Sequence, residues 1–251
     1  MIMNVDNTLV SIITVVFNGE KTIRQAIESV LNQTYDNIEY IIQDGLSTDD
    51  TISILESYKE QFETKNLSYY IVSEKDNGIY DAMNKGISKA TGEIIGMINC
   101  DDWYELDTIE KVVDNYHKTN FDMLYGDVKI IRNSGKTSIK HSKIRKYVTT
   151  RDWNHPTTFV KRTVYDKYKY KCESLYDDFD LVLRVRNGNS KVVIINEVLA
   201  NFRFGGISNE KNITKAIKRA KIRYSIYRKN DYSRFYLIES YGHEIAKYLM
   251  S

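Results

Sequence analysis

The stretch LVSIITVVFNGEKTIRQAIESVLNQTYDNIEYIIQDGLSTDDT, residues 9–51, decides the fold. It opens with LVSIITVVF, β-branched and almost wholly apolar, as a strand covered on both faces must be. Behind it Ile23, Ala26, Ile27, Val30 and Leu31 fall at i, i+3, i+4, i+7 and i+8, one stripe of a helix. IEYIIQ then reads as a second strand. Strand, helix and strand in this order form a β-α-β unit, whose strands pair in parallel.

The pattern continues outward. Thr51 to Phe62 predicts a helix through Ile52, Leu55, Tyr58 and Phe62, LSYYIVS a third strand, Tyr80 to Ala90 a helix and EIIGMIN a fourth strand. Such units build a layered, mostly parallel, Rossmann-like α/β sheet flanked by helices and suited to nucleotides. The second half is less regular. FDMLYGDVKII, the turn NSG and KTSIK predict a mixed or antiparallel extension. FDLVLRVR fits helix or strand by period alone, KVVIINEVLANFRF has strand character, and a Lys/Arg-rich helical tail begins at Ile213. The expected organisation is therefore 1–127, 128–210 and a basic tail 211–251, all within one compact unit.

With 251 residues and 42% hydrophobic content, the chain has enough apolar mass for a sizeable core. No run reaches the roughly 18–20 apolar residues that span a bilayer, and MIMNVDNTLV lacks the features of a signal peptide. A cytoplasmic protein is the expectation. Cys100 and Cys172 have no metal-type spacing and read as two reduced thiols. The net charge of +2 hides a split: 9 Lys+Arg against 23 Asp+Glu over 1–127 (−14), and 27 against 11 over 128–251 (+16). Either the halves neutralise each other, or the acidic half holds a metal while the basic half meets phosphates or an anionic membrane.

Acidic residues stand where strands end. Asp44 follows IEYIIQ, and Asp101 and Asp102 follow EIIGMIN. The carboxyl ends of parallel strands share one crevice, where ligands bind. An adjacent aspartate pair closing an apolar strand needs a cation to stay ionised. Mg²⁺ or Mn²⁺ supplies one and keeps positions open for substrate phosphates.

Several motifs, in order, carry a resemblance to a known family: TVVFNGEKTI, SVLNQTYDNIEYIIQDGLSTDDT, SEKDNGIYDAMNKGISKATGEIIGMINCDDW, NHPTTF, YDDFDLVLRV and FGGISN. From about Ser11 to Asn209 the chain resembles the bacterial glycosyltransferase family 2, enzymes of surface polysaccharide or O-antigen synthesis with the GT-A fold. That resemblance implies an inverting, metal-dependent transfer of a hexose from a UDP-sugar (glucose, galactose or N-acetylglucosamine) to a hydroxyl of a glycan acceptor. It assigns Asp44 to the uracil ring, and Thr14, Phe17, Asn18 and Glu20 to the nucleoside pocket. Asp76 and Asn84 fall on the donor side. Asp102 becomes the metal ligand, and Asp101 a partner of the ribose or of a metal-bound water. Where the family often shows Asp-Asp-Gly-Ser, this chain has Asp44-Gly45-Leu46-Ser47, so only one aspartate transfers there. Asn99 stands where an earlier acid of the metal motif is sometimes found.

By the same correspondence Asp178 is the general base that takes the acceptor hydroxyl proton. Asp177, His155 and Trp103 are placed on the acceptor or phosphate side, Trp103 as a ring that stacks on sugar. Asp180 reads instead as a helix N-terminal acid interacting with the dipole. The implied acceptor is polyprenyl-diphosphate-linked, at the inner face of the plasma membrane. The tail, with Lys215, Lys218, Arg219 and Lys221 and no acidic counterpart, predicts salt-sensitive peripheral association with anionic lipid. The competing reading packs its Ile and Tyr face on the catalytic unit or on a second subunit of a homodimer. Two other functions compete with this one. A sugar-1-phosphate nucleotidyltransferase would bring a Gly-rich, Arg-containing loop after strand one, where this chain has FNGEKT. A sugar-nucleotide-binding module without chemistry would have no reason to keep both Asp102 and Asp178. No nucleic-acid motif accompanies the basic charge, so nucleic acid is not an expected partner.

Overall fold

A computed structural model describes residues 8–205 and 212–250. Gly206 to Asn209 of the FGGISN motif lie outside the described residues. The expected β-α-β start is present as β1 (Val10–Val16), α1 (Ile23–Leu31) and β2 (Ile38–Asp44). The predicted helix from Thr51 divides into α2 (Thr51–Glu56) and α3 (Lys59–Thr64). The break falls at Ser57, whose hydroxyl donates to the Ile54 carbonyl (2.6 Å) and so competes with the helical ladder. Next come β3 (Ser68–Ser73), α4 (Ile79–Lys89), β4 (Ile94–Met97), the short β5 (Trp103–Tyr104) and α5 (Thr108–Thr119).

The second half supplies β6 (Met123–Arg132), β7 (Thr137–Lys140), a 3₁₀ turn at His155–Thr157, β8 (Phe159–Lys161) and α6 (Arg162–Lys167). It ends with α7 (Asp177–Asn187), β9 (Val192–Phe204), α8 (Ile213–Lys229) and α9 (Tyr236–Met250). Among the described residues one sheet runs β3-β2-β1-β4-β8-β6-β9-β5, with β7 beside β6. Strands β1 to β4 pair in parallel, β8 is antiparallel to both β4 and β6, and β9 is parallel to β6. The expected boundary at 127/128 falls inside β6, so the two halves share their sheet.

Alternation along the strands divides the core between the two faces of this sheet. Ile12, Tyr40 and Ile94 lie in the cluster with α1, α3 and α5; Ile13, Ile41 and Ile95 lie in the other, with α4 and α7. The ambiguous FDLVLRVR segment is α7. Phe179, Leu181, Val182, Leu183 and Val185 are all buried, which removes any polar alternation, while acids in its first turn and arginines in its last suit the helix dipole.

The tail packs on the catalytic unit, as the competing reading expects. It is a pair of helices docked on the body: Tyr227 is fully buried against Phe179 and Tyr236. An acidic counterpart exists as well. Glu244 accepts from Arg219 Nε (2.8 Å) and Arg223 Nη2 (2.8 Å), with the side chains of Arg223 and Glu244 each only 3% exposed. No described helix is long and apolar enough to cross a membrane.

Candidate active site

Val16 and Asp44 are register partners at the ends of β1 and β2, so the loops that follow them meet. Asn18, in the left-handed region (φ 53°) that asparagine tolerates, donates its N–H to Ser47 Oγ (2.7 Å) and accepts from Thr48 N (2.8 Å). Glu20 accepts from Asp50 N (3.2 Å), and Gly19 N donates to Thr51 Oγ1 (2.8 Å). Asn18 and Glu20 therefore staple the two loops together. Asp44, fully buried, accepts from Leu46 N (3.0 Å), Ser47 N (3.1 Å) and Ser73 Oγ (2.6 Å). These bonds, all to Oδ2, hold the loop that frames the crevice. An added Cβ at Gly45 would lie 2.5 Å from Asp76 Oδ2 and 3.6 Å from Phe17 Cβ, so a side chain there would push the Asp76 carboxylate aside.

Phe17 and Asp76 thus flank Gly45. At 63% exposure Phe17 is no strand-end core residue but an open ring at the crevice edge. Two of the assigned residues make contacts within the body. Thr14 is fully buried inside the sheet, its hydroxyl on Tyr40 Oη (3.0 Å). Asn84 uses both ends of its amide on the backbone of Tyr170 (Nδ2 to O 2.9 Å, N to Oδ1 3.1 Å), fastening α4 to the second half of the chain.

The turn after β4 closes through Asp102 N donating to Asn99 O (3.1 Å). Asp102 is 1% exposed; Oδ1 accepts from Arg203 N (3.0 Å), and Oδ2 is buried without a hydrogen-bond partner. Asn99 Oδ1 is orphaned in the same way. Burial, and secondly the charge of Asp101, push Asp102 well above the usual carboxylate range, and burial raises Asp101 too, against the pull of Arg203. An acceptor-only cluster of this kind fits a hard divalent cation, which would relieve both the orphaned oxygen and the carboxylate repulsion. No described group of three His, Cys, Asp or Glu forms a complete cage. Asp102 and Asp101 would hold Mg²⁺ or Mn²⁺ with water and donor phosphates as the other ligands, and the ion would neutralise leaving-group charge.

Sequence reasoning missed Arg203. Its backbone binds Asp102, its Nη2 donates to Gln25 Oε1 (2.8 Å), and its guanidinium lies 5.2 Å from the ring centroid of Trp103. One face of Trp103 is therefore covered by a cation, not open to a sugar. The only sequence signal was an arginine next to the FGGISN motif.

The third cluster gathers at the start of α7. Tyr80, from the first turn of α4, donates to the Leu175 carbonyl (3.1 Å), so this helix end sits beside α4, whose own start follows the carboxyl end of β3. Asp177 accepts from Glu173 N, Ser174 N and Ser174 Oγ, each at 2.9 Å, and shapes the preceding loop. Asp180 pairs with Arg184 (2.7 Å) and Lys171 (3.1 Å). Burial opposes its charge, but hydrogen bonds from Asn230, Lys171 and Arg184 hold it below the usual range.

Asp178 has no ion pair within salt-bridge distance among the described residues; its Oδ1 accepts from Phe179 N (2.7 Å), and the Tyr80 hydroxyl lies on its carboxyl. Burial raises its affinity for a proton, against the pull of His155. Burial lowers His155 in turn, favouring the neutral ring, with Asp178 pulling the other way. His155 meets Trp153 edge-on (6.2 Å), and both join Asp178 in the wall of a small cavity. A poorly paired carboxylate with raised proton affinity is what general-base chemistry needs. A larger concavity of about 770 Å³ lies elsewhere, between α5, β7 and β9. Its charges close on one another, Lys111 pairing with Asp107 (3.0 Å) and Glu197 (2.7 Å), and it contains none of these side chains.

This arrangement has counterparts. The chain is 25% identical to the Escherichia coli UDP-Glc:alpha-D-GlcNAc-diphosphoundecaprenol beta-1,3-glucosyltransferase WfgD over 244 residues, 94% of this chain and 93% of that one. It is 38% identical to the putative glycosyltransferase EpsH of Bacillus subtilis over 104 residues, covering 41% of this chain but only 29% of EpsH. In structure it superposes on S. aureus TarS 1–349 in complex with UDP-GlcNAc (TM-score 0.66, 16% identity, 96% of this chain and 73% of that one). It also superposes on the mannosyltransferase PcManGT of Pyrobaculum calidifontis in complex with GDP-Man and Mn²⁺ (TM-score 0.69, 16% identity, 97% and 70%). These likenesses establish the GT-A fold. Residues 11–175, about two thirds of the chain, match glycosyl transferase family 2, and the chain belongs to that family of glycosyltransferases.

Proposed function

We propose that this glycosyltransferase moves a hexose from a UDP-sugar, with inversion and with Mn²⁺ or Mg²⁺, onto a hydroxyl of a polyprenyl-diphosphate-linked glycan in surface polysaccharide synthesis. The observation that carries the reading is the buried Asp101–Asp102 pair with its orphaned oxygen, at the carboxyl end of the sheet that also brings Phe17, Gly45 and Asp76 together. Phe17 stacks on the uracil, Gly45 lets the base approach the backbone, and Asp76 accepts from base or ribose. Asp44, Asn18 and Glu20 hold the loops that make this slot.

On the acceptor side, Asp178 accepts the hydroxyl proton as the oxygen bonds to the anomeric carbon, and the bond from that carbon to the diphosphate oxygen breaks on the opposite face. His155, which burial pushes towards the neutral ring, lines the same cavity. The names of WfgD and of the TarS complex support a UDP donor, and WfgD's supports a lipid diphosphate acceptor. The test is UDP release from UDP-glucose, UDP-galactose and UDP-N-acetylglucosamine, with a diphosphate-linked acceptor, in Mn²⁺, Mg²⁺ or chelator. One donor should turn over, only with metal. Consumption of none, or equal rates in chelator, would remove this function.

A further inference from the structure

We infer that the chain docks on an anionic lipid bilayer through a composite face, built from the loop 141–151 and the start of α9. The inference deepens the lipid-linked acceptor reading and rests on it. The loop, HSKIRKYVTTR, carries Lys143, Arg145, Lys146 and Arg151 and no acid; buried Asp152 just beyond it pairs with Arg145 Nε (3.4 Å), which leaves the charge of the face to Lys143 and Lys146 above all. Val148 at its centre is 2% exposed: its carbonyl accepts from Tyr227 Oη (3.2 Å), and it shares the core cluster with Tyr236. The chain neighbours of these two buried residues are turned out to solvent, Tyr147 at 71% and Phe235 at 81%. Buried neighbours thus hold two exposed rings in place. Ile144 in the same loop, and Ile238 one turn beyond Phe235, are exposed as well. At the far end of the loop Arg151 Nε donates to His243 Nδ1 (3.0 Å), which ties loop and helix into one surface.

Single exposed apolar side chains need no explanation, but a cluster of rings and isoleucines among cations marks an interaction site. The charge selects the occupant. In a two-fold dimer the same patch meets itself, bringing Lys143 and Lys146 against like charges. An anionic bilayer satisfies both features, headgroups taking the cations while the interfacial layer takes Tyr, Phe and Ile. The position suits the chemistry. The loop leads directly into Asn154 and His155, and Tyr227 beneath the face packs on Phe179, next to Asp178. A sugar carried on a lipid would therefore arrive on the side of the base.

The test is co-sedimentation of the full chain with phosphatidylglycerol/phosphatidylcholine vesicles, and with phosphatidylcholine alone, at low and high salt. Binding is expected on the anionic vesicles at low salt. It should fall by about tenfold or more in Tyr147→Ser/Phe235→Ser and in Lys143→Glu/Lys146→Glu. Both double variants should keep wild-type transfer to a soluble acceptor. Absence of binding to anionic vesicles at low salt, or binding undiminished in both variants, overturns the inference. So does a concentration-dependent dimer that Tyr147→Ser/Phe235→Ser dissolves, which assigns the face to a second copy. Vesicle binding without UDP-sugar turnover would refute the proposed function and leave this surface standing.

Discussion

Replacing Asp178 with asparagine separates catalysis from stability, because the two should move in opposite directions. A positioned general base contributes about 10²–10⁴ in rate, or roughly 3–5 kcal/mol of barrier. Transfer in Asp178→Asn should fall by that factor while UDP affinity holds, since Asp178 lies on the acceptor side. Stability follows from the direction of its titration. Burial raises Asp178 above its ordinary value in the folded chain. The native state then binds that proton more tightly than the unfolded state, so keeping the carboxylate ionised at neutral pH costs stability, and the cost fades as pH falls through the folded value. Asparagine carries no charge and can still accept from Phe179 N. Each pKa unit corresponds to about 1.4 kcal/mol, and at about 2–4 °C per kcal/mol for a chain of this size the variant should melt level with or a few degrees above wild type. Thermal melts at neutral and acidic pH, beside single-turnover transfer across pH, read both quantities. The acidic limb of wild-type activity should lie above the ordinary carboxylate range. Turnover within about threefold of wild type would refute the base assignment, the usual loss being far larger. A melting point well below wild type would refute the electrostatic argument.

Three further outcomes follow from the same contacts. Phe17→Ala should weaken UDP binding in titration calorimetry by about 1–3 kcal/mol, the scale of base–aromatic stacking, without lowering the melting point, because the ring is mostly exposed; unchanged affinity moves the base elsewhere. Asp102→Ala should abolish the gain in UDP affinity that Mn²⁺ gives wild type, and an intact gain would place the ion at other residues. Glu244→Gln leaves Arg223 buried without its carboxylate and should destabilise by about 3–5 kcal/mol. Arginine contacts outweigh the burial that opposes Glu244's charge and depress its titration. This pair's stabilisation is therefore complete above the ordinary glutamate value and lost as pH falls through the depressed one, so a variant whose deficit persists unchanged at low pH contradicts the assignment.

The parallel half of the sheet was legible because strands buried on both faces, such as VSIITVV and IEYIIQD, leave long β-branched runs, and α1 leaves a clean apolar stripe. The positions of Asp44, Asp101 and Asp102 followed from strand ends alone. What a linear reading could not separate is a carboxylate that faces ligand from one that faces its own backbone. Asp44 and Asp177 both sit at motif positions, yet each is occupied by N–H groups two to four residues away. Asn84 is occupied too, but by the backbone of Tyr170, 86 residues away. A motif records which residue type occurs at a place, whereas the partner of a side chain depends on a turn that several neighbouring residues decide.

The tail shows the other limit. Its Lys/Arg content suggested solvent or lipid, since the partners of those charges are far away in sequence and leave no periodic trace. In the fold, Asn230 donates to Asp180 (2.7 Å), Asn187 Nδ2 donates to the Asn230 carbonyl (2.9 Å), Lys229 pairs with Glu173 (2.7 Å), and Arg223 lies over the ring of Tyr176 (5.2 Å). All four contacts fall on α7 or the residues just before it. The helix that carries Asp178 starts without a side-chain cap of its own. Its orientation is therefore set from outside, by α8 and the Asn230 that caps it, beyond the family match, while α9 buries Glu244 against α8 and leaves Ile238 exposed, with Phe235 exposed just before its first turn.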